Sequence, residues 1–111
     1  MPAEIKTDVA IIGAGPVGLF AVFECGMLRM KSVVIDALEA IGGQCTALYP
    51  EKPIFDIPAH PQIAGADLIA QLEAQAAPFA QQYLFGQRVE TLRQEVGALV
   101  LGTSAGDVIR A

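Results

Sequence analysis

The run Asp8-Val-Ala-Ile-Ile-Gly-Ala-Gly-Pro-Val-Gly18 leaves this chain few ways to fold. A short β-branched segment stops at glycines spaced Gly13-x-Gly15-x-x-Gly18, and an apolar stretch follows at once. A strand buried on both faces, a tight turn and a helix start answer to that order. The spacing is the signal, since a glycine-rich turn after an ordinary strand carries no ligand by itself. Here Gly13 permits the bend, Gly15 lets a phosphate approach the backbone, and Gly18 lets helix and strand pack closely. The helix start offers unpaired amides and the positive end of its dipole, and Pro16 fits there because a first-turn amide has no partner inside the helix. The expectation is a pyrophosphate held over Gly13, Gly15, Pro16 and Gly18.

Ser32 to Ile35 reads as a second strand closed by Asp36, completing a strand, helix, strand unit of roughly 30 residues. A carboxylate at that strand end accepts from both hydroxyls of an adenosine ribose and repels a 2′-phosphate, which argues against NADP there. FAD and NAD both remain open on that residue. The following Gly42-Gly43-Gln44 favours FAD, because a second glycine pair lets backbone approach a long ligand and a plain NAD domain has no need of it.

The remaining pattern is that of a layered α/β domain. The first helix is expected over Pro16 to Met30, with Val17, Phe20, Ala21, Phe23, Met27 and Leu28 packing broadly. Pro50, Pro53, Pro58 and Pro61 forbid a helix or central strand between Tyr49 and Pro61, so a shaped loop is expected. A second helix starts near Gly65 or Ala66 with Asp67 in its first turn, carries Leu68, Ile69, Leu72, Ala76 and Phe79 at helical spacing, and kinks or ends at Pro78. Tyr83 to Phe85 is a third parallel strand, and Val89 to Arg110 gives short strands broken at Gly97 and Ser104-Ala105-Gly106. The expected fold is a three-layer, Rossmann-like FAD-binding domain over residues 1–111, its parallel sheet beginning at Thr7 and an antiparallel excursion following Gln87.

Composition excludes several classes. A formal charge of −5, from 12 acids and 7 scattered bases, argues against nucleic acid or an anionic membrane as partner. The longest apolar stretch, Val9 to Phe23, is interrupted by glycines and a proline and is short of the roughly 18 residues a membrane span needs. The N-terminus lacks the positive region of a secretory signal. Cys25 and Cys45 have neither metal-ligand spacing nor the look of a disulfide framework, so a reducing cytoplasm is expected. An apolar fraction of 53% suggests faces that pack against something further, and self-association is expected.

The run Gly42-Gly-Gln-Cys-Thr-Ala-Leu-Tyr-Pro-Glu-Lys52, followed by Pro-Ile-Phe-Asp-Ile57, resembles the FAD domain of the thioredoxin-reductase-like ferredoxin–NADP reductases, over nearly the whole chain. That resemblance implies that Gln44 contacts the flavin side of FAD, that Tyr49 stacks on the isoalloxazine, that Asp56 is a polar neighbour of the flavin, and that backbone at Val89 meets the adenine. It implies an intact enzyme that takes a hydride from NADPH and passes electrons to ferredoxin or flavodoxin. By the same comparison this chain is only the N-terminal part, without the NADPH domain or the strand that closes the sheet, and inactive alone. Glutathione-reductase relatives carry a redox cysteine pair near this place, but here Pro50 stands where the partner of Cys45 would be, so Cys45 is expected as an apolar filler and Cys25 as core. His60 is expected as a solvated loop residue. Alternatives are a thioredoxin reductase fragment, an NAD-linked dehydrogenase fragment, and a nucleotide-binding or structural domain without catalysis.

Overall fold

Val33, Val34 and Ile35 are almost fully buried, and the two halves of the core lie on opposite sides of them. The computed structural model describes residues 3–79 and 82–111. In chain order its elements are β1 (Glu4–Lys6), β2 (Val9–Ile12), α1 (Pro16–Met27), β3 (Ser32–Ile35), a single helical turn α2 (Gln44–Ala47), β4 (Pro53–Ile54), β5 (Ile63–Ala64), α3 (Gly65–Ala76), β6 (Gln82–Leu84), β7 (Val89–Glu95), β8 (Ala98–Thr103) and β9 (Val108–Arg110).

Strands β2, β3 and β6 form a parallel sheet in that order, with Ile11 opposite Val34 and Val34 opposite Tyr83. Successive side chains of a strand point to opposite faces, so β3 serves two cores. Val34 packs with Ile11, Val22, Cys25 and Ala76 under the helices, whereas Val33 and Ile35 pack with Leu101 and Ile109 of an antiparallel sheet. That second sheet runs β1-β9-β8-β7. The layers are therefore helices, parallel sheet and antiparallel sheet, as expected for this α/β class.

Three sequence expectations need correction. The first helix ends at Met27, not Met30, because Arg29 takes a left-handed conformation (φ 60°). Its amide donates to Gly26 and that of Met30 to Cys25, which satisfies the last carbonyls and turns the chain into β3. The buried face of α1 is Leu19, Val22 and Cys25, while Val17, Phe20, Met27 and Leu28 are exposed. Apolar residues occur all round this helix, so composition could not identify the inner face; burial of Leu19 and Val22 contributes about 1.5–3 kcal/mol each.

The sheet strand expected from Thr7 begins at Val9; Val9 and Ile11 pack under the helices and Ala10 against the antiparallel sheet, while Ile12 at its far end is exposed. Glu4–Lys6 was not expected to be a strand, yet it pairs in parallel with β9. The proline-rich loop behaves as expected of its prolines, with only the two-residue pair β4–β5 and an Ile57–His60 bridge within it. Helix α3 starts at Gly65 with Asp67 in its first turn, buries Leu68, Ile69 and Ala76, and gives way to a 3-10 turn over Ala77–Phe79.

Candidate dinucleotide site

The strand-to-helix turn has a shape that only part of its sequence explains from within. Gly13 lies at φ 109°, where a side chain is strained, and its amide donates to Ile35 at 2.8 Å, fastening the turn to the next strand. A Cβ on Gly18 would collide with the Gly13 carbonyl, so that glycine is needed for helix and turn to touch. Gly15 is different. Its φ of −78° suits any residue, and a Cβ there would meet nothing within 4 Å. Open space therefore lies in front of Gly15, at the N-cap of α1, with Pro16 in the first turn and no side chain capping the helix. A phosphate group fits such a place by charge and by hydrogen bonding.

Asp36 closes β3 and faces the same turn. One carboxylate oxygen accepts from the Ala14 amide at 2.7 Å and the other from Leu38 at 2.8 Å. The sequence had suggested only a ligand-binding role; in the structure the carboxylate also braces the turn, and each oxygen retains a lone pair.

The second glycine pair joins the first. The Gly42 amide donates to the Ala14 carbonyl at 2.8 Å, and a Cβ on Gly43 would lie 3.3 Å from the Gly15 Cα. From there α2 leads into a cleft of about 450 Å3 lined by Gln44, Cys45, Tyr49, Lys52, Ile54, Phe55 and Asp56, among others. Three residues expected at the flavin end, Gln44, Tyr49 and Asp56, thus line one cavity, and Gln44 follows directly on the second glycine pair. Cys45 is half-buried in its wall and Cys25 is buried in the core, both as free thiols.

Val89 stands apart from that cavity, at the start of β7 and against the antiparallel core. The turn before it is nevertheless bonded to the Asp36 loop, Gln87 donating to the Asp36 carbonyl at 3.0 Å and Gly86 to Leu38 at 2.9 Å. The Thr103 hydroxyl donates to the Gln87 side chain at 2.8 Å and holds that turn from the other side. His60 is a half-buried loop residue at the edge of a hollow, and its amide donates to Ile57 at 3.1 Å. A wider hollow of about 540 Å3 beside His60 and Asp67 has neither a glycine turn nor an aromatic wall. Among the described residues no cluster could hold a metal ion, and no helix is long and apolar enough to cross a membrane.

Gly65 was read from the sequence only as a helix start. A Cβ there would press on the Tyr49 and Cys45 carbonyls, at 2.6 and 2.9 Å, so its lack of a side chain is what lets α3 seat the Tyr49 loop. The Gly65 and Ala66 amides, freed by the helix start, donate to Lys52 and Pro50. A glycine at a helix N-terminus next to a proline-rich loop was the available signal.

The likeness of this chain to known proteins is that of a part to longer proteins. The chain is 64% identical over 110 residues to the ferredoxin–NADP reductase of Granulibacter bethesdensis, covering 99% of this chain and 31% of that protein. It is 62% identical over 110 residues to that of Gluconobacter oxydans, covering 99% of this chain and 32% of that protein. Over nearly its whole length the chain is therefore similar to proteins named ferredoxin–NADP reductase. It spans about a third of the length of the curated relatives it matches. No protein-family model matches it. In fold it is similar to the T. acidophilum thioredoxin reductase, with a TM-score of 0.81 at 22% identity over 96% of this chain and 33% of that one. The closed form of cyclohexanone monooxygenase gives 0.76 at 21% identity, over 97% of this chain and 25% of that one. At such identities the likeness concerns the fold alone, which is the Rossmann-like architecture read from the glycine turn.

Proposed function

We propose that the chain is the FAD-binding portion of a flavin oxidoreductase that, when whole, moves electrons between NADPH and ferredoxin or flavodoxin. The observation that carries this reading is the junction of the two glycine motifs, with the Gly42 amide on the Ala14 carbonyl and Gly43 against Gly15, directly before the residues Gln44 and Tyr49 that line the cleft. The homology to ferredoxin–NADP reductases supports the electron-transfer activity and its partner, and flavodoxin is the alternative acceptor.

In this reading Gly13, Gly15, Gly18 and the α1 start at Pro16 hold the pyrophosphate, and Asp36 accepts from the adenosine ribose through its remaining lone pairs. Backbone at Val89 meets the adenine beside the braced Gly86–Arg88 turn. Tyr49 stacks on the isoalloxazine, while Gln44 and Asp56 contact its polar edge. FAD held by these residues would supply the chemistry that links two-electron hydride transfer to one-electron transfer. The protein orients that ring and excludes water from one face of it. Residues 1–111 contain no second glycine turn of this type, so NADPH is assigned to another part of the whole enzyme.

We place the protein in the cytoplasm, in keeping with its two free thiols. We also propose that the 111-residue chain self-associates, through the open β2 edge or the β7–β9 sheet, because Ile12 and Leu92 are exposed on those elements. Exchange of the Val89–Arg110 segment is one form this can take.

Flavin absorbance on purification, or FAD titration into the purified chain, tests the cofactor reading. Saturable FAD binding with competition by ADP supports it; no binding of either ligand overturns it. The isolated chain should oxidise no NADPH. Light scattering tests self-association, and a monomer at high concentration overturns that part.

A further inference from the structure

Lys52 lines the same cleft as Tyr49, with its ammonium 5.2 Å from the centre of the Tyr49 ring. That is within the distance at which a cation is held by the face of an aromatic ring. Among the described ion pairs none involves Lys52, although the acids Glu51 and Asp56 are near it in sequence and Asp56 lines the cleft with it.

The relative placement of these two side chains is set by backbone. Lys52 donates its amide to the Tyr49 carbonyl at 3.3 Å, closing the turn that carries both residues. Gly65 donates to the Lys52 carbonyl at 3.1 Å and Ala66 to Pro50 at 2.8 Å, so the turn is bolted to the first turn of α3. Tyr49 itself is half exposed (50%) and lacks enough packing to fix its ring from all sides. A platform for a flat ligand must be rigid before the ligand arrives, or binding bears the cost of ordering it.

We propose that Lys52 is a positioning residue for Tyr49: its ammonium covers one face of the phenol ring and leaves the opposite face to a planar aromatic ligand. This rests on the reading of the cleft as the flavin end of the site. The stack then runs from ammonium to phenol to flavin ring, and the ammonium acts on the ligand through the phenol it orients.

The test uses the 111-residue chain, FAD and ADP, comparing wild type, Lys52→Gln, Lys52→Arg and Tyr49→Ala. Lys52→Gln should weaken FAD binding by about two- to fivefold and relieve part of the flavin fluorescence quenching, while ADP affinity stays constant and Lys52→Arg restores both signals. A ligand-free readout is available because the chain has two tyrosines: in a Tyr83→Phe background the ring proton signals of Tyr49 should move on Lys52→Gln. Unchanged quenching and unmoved ring signals overturn the proposal. So does tighter FAD binding in Lys52→Gln, which would make the ammonium a competitor for the ligand's face. If Tyr49→Ala leaves FAD quenching as in wild type, the flavin reading of the cleft fails, and the role of Lys52 with it; ADP binding that persists in that case keeps the adenosine end of the reading.

Discussion

The Gly42 amide donates to the Ala14 carbonyl across 2.8 Å, and through that bond two glycine motifs far apart in sequence become one rigid surface. Ala14 is itself fully buried and also donates to Asp36. A single residue between Gly13 and Gly15 therefore holds the carboxylate on one side and the second turn on the other. Ligand contacts at either end share one frame.

Glycine substitutions should separate folding from binding. Gly18→Ala forces a Cβ into the Gly13 carbonyl and should destabilise the chain by about 2 kcal/mol or more, within the range for strained, overpacked sites. Gly15→Ala meets open space, so its effect on urea stability should stay below about 1 kcal/mol while FAD and ADP affinities fall at least tenfold. Equal ligand affinity in Gly15→Ala and wild type would mean that nothing needs the space before Gly15.

Asp36→Ala should lose on both counts. It removes the acceptor of the Ala14 and Leu38 amides, one part-buried, at a cost of about 1–3 kcal/mol in unfolding free energy. The affinity for ADP and FAD should drop by a similar ~1–3 kcal/mol, measured calorimetrically at a temperature where the variant is folded. If both ligands bind as before, Asp36 braces the turn and nothing more.

The helix start at Pro16, the strand at Ser32–Ile35 and the antiparallel strands after Gln87 were legible because glycine, proline and β-branched residues force local geometry whatever packs around them. The inner face of α1 was not, since Leu19 and Val22 differ from exposed Val17 and Phe20 only in what lies opposite. Strand β1 was hidden for a related reason: Glu4-Ile-Lys6 has no strand pattern of its own and acquires one from β9, over a hundred residues later. At the site, the glycines and Asp36 were readable from spacing. The seating of Tyr49 on Gly65 was not, because it depends on a carbonyl contact between segments that sequence does not pair.

The alkaline limb of stability should report Tyr83. Burial raises its phenol above the usual value of 10.0, and the Glu73 carboxylate raises it further. The folded state thus favours the neutral phenol, so this contribution is complete below about pH 10 and is lost as pH rises through the higher folded value. In Tyr49→Phe, Tyr83 is the sole tyrosine, and its absorbance at the tyrosinate band should titrate above 10. Adding Glu73→Gln should bring the midpoint part of the way down.

The acidic limb should report the antiparallel sheet. Glu95 accepts from Arg110 and Arg93, and those hydrogen bonds hold its carboxyl below the ordinary range. The ionised form is favoured by folding, so its contribution is present above about pH 4.5 and disappears as pH falls through the lower folded value. Glu95→Gln should flatten the stability curve below pH 4.5 and leave it unchanged in shape near Tyr83's titration. Because the cluster is exposed, salt should diminish the effect. An acid limb identical in wild type and Glu95→Gln would remove this cluster as its cause.

Strand β1 gives the chain an unusual assembly order. Among the described residues its only sheet neighbour is β9, joined by Glu4 to Val108 and Lys6 to Arg110, with Ala3 also donating to Asp107. On a ribosome adding ~5–20 residues per second, these residues would wait roughly 5–20 s for a partner. The nucleotide turn, by contrast, needs only β2, α1, β3 and the Gly42 loop, all complete long before β9 emerges. The site can take shape while the antiparallel sheet that will back it is still unfinished, and β1 stays unpaired until β9 arrives.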